Sequence, residues 1–145
     1  MASEFKMTHR VEFADTDMAG IAHFANYFRY MEMTEHAFLR SVGLSIVMWD
    51  QLKVGWPRVH AECDYKAPLA FEDEVEVHLR VREKSEKSIA YDFILRRVKP
   101  APGVEVARGS VTTVCVTRDA GGKLKAVPIP EAVAGKIDVA PAAKG

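Results

Sequence analysis

From Arg58 onward the sequence takes up a side-chain period of two and holds it almost to Thr117. Val59, Ala61, Cys63 and Tyr65 alternate with Arg58, His60, Glu62 and Asp64. Val75, Val77, Leu79 and Val81 alternate with Glu74, Glu76, His78 and Arg80, and Ile89, Tyr91, Phe93 and Leu95 open a third such run. Strand side chains point to opposite faces in turn, so each run predicts a strand with one buried face. Val104 to Thr117 is more continuously apolar and β-branched, which predicts a strand buried on both faces or in mid-sheet. Lys66-Ala67-Pro68, Lys84 to Lys87, Pro100-Ala101-Pro102-Gly103 and Asp119 to Gly122 break the runs as turns. Links this short join antiparallel neighbours.

Upstream the period changes. Val11 and Phe13 alternate with Arg10 and Glu12 and predict a short first strand, and Asp15, Thr16, Asp17 and Gly20 mark a loop. Phe24, Phe28, Met31, Phe38 and Val42 then recur at helical spacing, giving one apolar stripe that Gly43 is placed to end. The order is strand, long helix, four strands. One helix cannot cover both faces of a five-stranded antiparallel sheet, so the economical α+β architecture wraps the sheet around the helix and lets a second copy supply missing neighbours.

With 145 residues and 48% hydrophobic content the chain fits a single domain, expected over residues 1–135, and the Ala/Pro/Lys-rich residues 136–145 are expected to fray. Lys plus Arg equals Asp plus Glu, so no overall basic field exists to hold nucleic acid or an anionic membrane. No apolar run approaches the roughly 20 residues of a membrane helix, and no signal peptide is evident in Met1 to His9. Cys63 and Cys115 lie inside strand patterns without a histidine partner at nucleophile spacing; two isolated thiols suggest a reducing compartment, with the cytoplasm as the default. The five histidines show no zinc-ligand spacing, and Asp15-x-Asp17-x-x-Gly20 fails as a calcium loop because Ala19 and Asn26 stand at ligand positions.

The densest polar cluster, Asp15 to Tyr27, lies where strand hands over to helix. Amides in the first turn of a helix lack partners and carry partial positive charge, so they can polarise a carbonyl oxygen held against them. A carboxylate a few residues upstream can act on the carbonyl carbon as nucleophile or as base for water. Asp17, seven residues before Phe24, has that placement, although Asp and Asn also gather at caps and loops for structural reasons alone.

Phe13-Ala14-Asp15-Thr16-Asp17-x-x-Gly20, followed by Asn26-Tyr27-Phe28-Arg29-Tyr30-Met31-Glu32, resembles the signature of the 4-hydroxybenzoyl-CoA thioesterase-like hotdog family. Asp64-Tyr65-Lys66-Ala67-Pro68-Leu69, Phe71-Glu72-Asp73-Glu74-Val75, Val114-Cys115-Val116 and Pro128-Ile129-Pro130 continue the match in order between Met7 and Glu131. The resemblance implies a hotdog fold, hydrolysis of an acyl-CoA thioester without metal or organic cofactor, and a homodimer or homotetramer with active sites at the dimer interface. It puts the catalytic carboxylate on Asp17, the carbonyl-polarising amide on Phe24, and on Gly20 a loop glycine where a side chain would crowd the thioester. Many relatives have an aromatic residue where this chain has His23, so His23 is open between lining the acyl pocket, bonding Asp17 and packing at the helix entry.

Tyr27 and Trp56 are candidates to border the acyl group, and Lys84, Lys87, Arg96 and Arg118 to meet the CoA phosphates by charge and location. Asp15 suits a loop-shaping role. Two rival functions follow: a hydratase or dehydratase on acyl thioesters using His23 and Glu32, and a non-catalytic acyl-CoA or acyl-carrier-protein binding subunit.

Overall fold

The computed structural model describes residues 2–142. Five strands form one antiparallel sheet in the order β1-β3-β4-β5-β2: β1 (Glu4–Arg10), β2 (Arg58–Tyr65), β3 (Glu74–Lys84), β4 (Ser88–Lys99) and β5 (Val104–Val114). The helix α1 (Asn26–Ser41) packs against the inner face, where Val75, Val77, Leu79, Phe93 and Leu95 are buried. A short helix α2 (Trp49–Leu52), a small hairpin of β6 (Val116–Arg118) with β7 (Leu124–Ala126), and α3 (Glu131–Ala134) complete the described chain. No helix among the described residues is long and apolar enough to cross a membrane.

Three expectations are corrected. The first strand is Glu4–Arg10, not Arg10 to Phe13: its register sets Met7 opposite Val77 and His9 opposite Val75. The Glu12 amide instead donates to Asp15 Oδ2 at 3.0 Å, which winds Phe13–Asp15 into a single 3-10 turn and leaves Phe13 exposed. On α1 the buried face is Tyr27, Tyr30, Met31, Thr34, Glu35, Phe38 and Leu39, so only Met31 and Phe38 of the expected stripe are fully covered. Polar and phenolic side chains bury here because they find partners, which an apolar-only pattern misses. Gly43 does end the helix, at φ +81 with its amide on the Arg40 carbonyl at 3.0 Å. Finally, part of the tail expected to fray is held against the fold. Ile137 is fully buried, and Asp138 and Ala140 donate backbone bonds to Ala2 and Val81, both at 2.8 Å; residues 143–145 of that segment lie outside the described residues.

Gly109 on β5 seats the helix. It pairs with Cys63 on β2 and Phe93 on β4, directly under the Met31 side chain, where a larger residue would hold α1 off the sheet. The β2 strand carries a bulge between Arg58 and His60. An extra residue there brings Arg58 onto the inner face beside Ala61, where simple alternation had put it outside. Being last in the sheet, β2 has an outer edge without a partner strand among the described residues, and seven of its eight residues are exposed.

Candidate active site

Asp15 is the buried anchor of the strand-to-helix loop. Its Oδ2 accepts from the Glu12 amide and from the Tyr30 hydroxyl, both at 3.0 Å, and Arg29 lies 3.4 Å from Oδ1. Its carbonyl takes the His23 amide at 2.8 Å and the Asn26 side-chain amide at 2.7 Å. Burial and the adjoining Asp15 carboxylate push the Tyr30 phenol well above its usual range, so it stays a hydrogen-bond donor. Asp15→Ala strands both a buried hydroxyl and an amide. It is expected to destabilise the fold by about 2–6 kcal/mol, at about 1–3 kcal/mol per orphaned group, read as a shift in the urea midpoint. An unchanged midpoint would mean that Asp15 does not anchor the loop.

Asp17 sits at the exposed tip. Its Oδ1 accepts from the Ala19 amide at 2.8 Å, while its backbone bonds Ile21 and Gly20 at 2.9 and 3.0 Å. The loop thus holds the carboxylate in place and leaves Oδ2 open. It faces a cleft of about 540 Å³ lined also by Phe24, Tyr27, Tyr65 and Lys66. At the helix entry the His23 amide is spent on Asp15 and the Ala25 amide on His23 Nδ1 at 3.2 Å. The Phe24 amide between them makes no hydrogen bond among the described residues. A free donor at a helix start and a fixed carboxylate thus border one cleft, an arrangement that can polarise a carbonyl and attack its carbon.

The other sequence candidates divide. Tyr27 lines the cleft, with its ring edge-on to Tyr65 at 4.9 Å. His23 stacks on Phe24 at 4.6 Å, makes no bond to Asp17, and uses Nδ1 to cap the Ala25 amide. Gly20 has φ +82, and within the chain a Cβ there would meet nothing within 4 Å; its requirement is the left-handed backbone, with no crowding from the protein. Trp56 is buried against Met48 Sδ at 3.1 Å, in a different cavity with Leu39 and Tyr91, and does not border the Asp17 cleft. The basic candidates lie elsewhere. Lys84 Nζ is tied to the Ala134 and Ile137 carbonyls at 3.0 and 2.7 Å, and Arg118 bonds the Gly122 carbonyl beside Trp49. Lys87 is an exposed turn residue and Arg96 a half-buried one on β4. Among the described residues no three His, Cys, Asp or Glu side chains cluster to hold a metal ion.

One group escaped the sequence reading, Tyr65, and one expectation for α1 is corrected, since Glu35 is buried within the chain. Tyr65, counted only as a strand residue, donates its hydroxyl to the Phe24 carbonyl at 2.7 Å and so braces the helix entry; Lys66 beside it pairs with Glu105 at 2.6 Å. Glu35 is buried and ion-paired with Arg58. Desolvation outweighs the Arg58 guanidinium and pushes the Glu35 carboxyl up to about 7. Folding therefore favours its protonated form, and the stability it contributes is lost as pH rises from about 4.5 through 7. The gap in stability between Glu35→Gln and wild type should shift in favour of the variant by on the order of 2 kcal/mol between pH 5 and 8. Urea unfolding at the two pH values measures it, and a constant gap would refute it.

Comparison with known proteins adds an independent line. The thioesterase-like superfamily matches residues 11–137. The 4-hydroxybenzoyl-CoA thioesterase of Pseudomonas sp. strain CBS-3 is 28% identical over 136 residues, covering 90% of this chain and 94% of its own. A protein of Aquifex aeolicus described as hypothetical has a crystal structure with TM-score 0.81 and 31% identity, covering 92% and 99%. The 1,4-dihydroxy-2-naphthoyl-CoA thioesterase of Synechocystis superposes with TM-score 0.79 and 26% identity, covering 88% and 90%.

Proposed function

Since the chain belongs to the thioesterase-like superfamily and has its hotdog fold, we propose that it is an acyl-CoA thioesterase, releasing a free acid and CoA without metal or organic cofactor. The observation that carries this reading is the pairing of an anchored Asp17 with the unbonded Phe24 amide across one cleft. The thioester oxygen rests against the Phe24 amide, which stabilises the charge that develops on it. Asp17 either attacks the carbonyl carbon to give a mixed anhydride and expel the CoA thiolate, or removes a proton from the attacking water. The Asp15 network and the Tyr65 hydroxyl hold the loop and helix start at a fixed spacing.

The active unit is a homodimer or larger, formed along β2. That strand is long, open on its outer edge, and carries Val59 at 61% exposure, a liability that pairing with a second β2 removes. Free Cys63 and Cys115 fit a cytoplasmic setting. Nothing favours the hydratase alternative: His23 Nδ1 is engaged by the Ala25 amide, and Glu32 lines a different cavity from Asp17. Thiol-release kinetics over short, medium, long and aromatic acyl-CoAs test the proposal. Release above the buffer rate supports it, and tight CoA-ester binding without release across the panel would assign the protein to non-catalytic binding.

A further inference from the structure

Two peptide planes meet at Phe24 Cα, and the fold holds both. In the first, which carries the Phe24 N–H, the His23 carbonyl accepts from the Asn26 amide at 2.9 Å. Peptide units are planar, so a bond to that carbonyl also orients the N–H on the opposite side of the plane. It polarises the N–H as well, making it a stronger donor. The second plane is gripped at both ends. The Tyr65 hydroxyl donates to the Phe24 carbonyl at 2.7 Å, and His23 Nδ1 accepts from the Ala25 amide at 3.2 Å.

Tyr65 is planted on the sheet. It ends β2 opposite Ala107 on β5, and the next amide, that of Lys66, donates to the Val106 carbonyl at 2.8 Å. Its ring stands edge-on to both Phe24 and Tyr27. Burial pushes the phenol up to about 12, so it remains a donor at neutral pH. From the loop side, His23 makes the contact to the amide two residues on that Asn or Asp makes in an Asx-turn. Accepting there leaves the ring proton on Nε2. His23, Phe24 and Ala25 are all exposed, so without these partners the carbonyl and amide would turn to water at little cost to folding. What the two side chains add is direction. We infer that Tyr65 and His23 are positioning residues: together they clamp the peptide plane that follows Phe24, and so aim the Phe24 amide at the oxygen of the bound thioester.

This rests on the thioesterase reading, and one experiment separates the two. For wild type, Tyr65→Phe, His23→Leu and His23→Asn, kcat and KM are measured by thiol release from the acyl-CoA that wild type hydrolyses fastest. Outright loss of an oxyanion donor costs about 10²–10³ in kcat, and a donor that is present but loosened should lose less. Tyr65→Phe and His23→Leu are therefore each expected to lower kcat about tenfold with KM within about twofold. His23→Asn, whose side-chain oxygen can accept the Ala25 amide in the same turn, should recover most of what His23→Leu loses. A direct readout uses the same ester, isotope-labelled at its carbonyl and bound to the Asp17→Asn chain. Its infrared carbonyl stretch, lowered by the bond from the Phe24 amide, should move back toward the free-ester value when Tyr65→Phe or His23→Leu is added. A raised KM with kcat unchanged would make the two residues substrate contacts. A wild-type kcat and stretch in both variants would show that the amide keeps its direction without them. Either result overturns this inference alone; no hydrolysis of any acyl-CoA by wild type overturns both.

Discussion

Asp17→Asn is expected to lower kcat for acyl-CoA hydrolysis by about 10³-fold or more while leaving KM within a few-fold, the pattern for loss of a nucleophile or general base. Asparagine keeps the size of the side chain and an Oδ1 that can still accept the Ala19 amide, so the turn at the loop tip survives. What disappears is the charge, and with it both the attack on the carbonyl carbon and the ability to take a proton. The Phe24 amide and Tyr65 brace are untouched, which leaves ground-state binding intact. Thiol release by the purified dimer, alongside its melting temperature, decides the matter. A folded variant that turns over near the wild-type rate would remove Asp17 from the reaction.

Gly109→Ala carries the largest expected structural effect for one added carbon. A Cβ at this position would lie 2.8 Å from the Glu62 carbonyl oxygen and closer still to the tip of Met31. The methionine can swing away; the β2 backbone can yield only by loosening its ladder with β5, where Gly109 pairs with Cys63. Overpacking of this kind costs about 1–3 kcal/mol, and the upper end applies where backbone must move. The same shift displaces the edge proposed for dimerisation. Urea unfolding combined with sedimentation should show lower stability and weaker self-association. A variant with wild-type midpoint and dimer fraction would mean that the seat accommodates a methyl group.

The elements with clean periodicity were legible in the sequence. Val75 to Val81 and Ile89 to Leu95 alternate because one face of β3 and β4 is buried under the helix and the other meets solvent and charged neighbours. The loop from Asp15 to Phe24 was legible as a chemical unit for a different reason: its partners are local, so spacing along the chain approximates distance in space. The buried face of α1 was not. Thr34 and Glu35 are polar by type, and their burial depends on His9, which bonds Thr34 at 3.0 Å, and on Arg58, both far away in the chain. Nor does charge alone reveal that the Ala134 and Ile137 carbonyls occupy Lys84.

By itself the sequence determined the strand–helix–four-strand order, the stop at Gly43, and the placing of Asp17 a helix entry away from Phe24. These follow from backbone preferences and side-chain periods that act over a few residues. Only the tertiary structure decided that the Phe24 amide is the one left unbonded, that Tyr65 braces it from another strand, and that a bulge aims Arg58 at a buried Glu35. Those features depend on which hydrogen-bonding groups the fold brings together and which it leaves over, a balance set by contacts between residues distant in the chain.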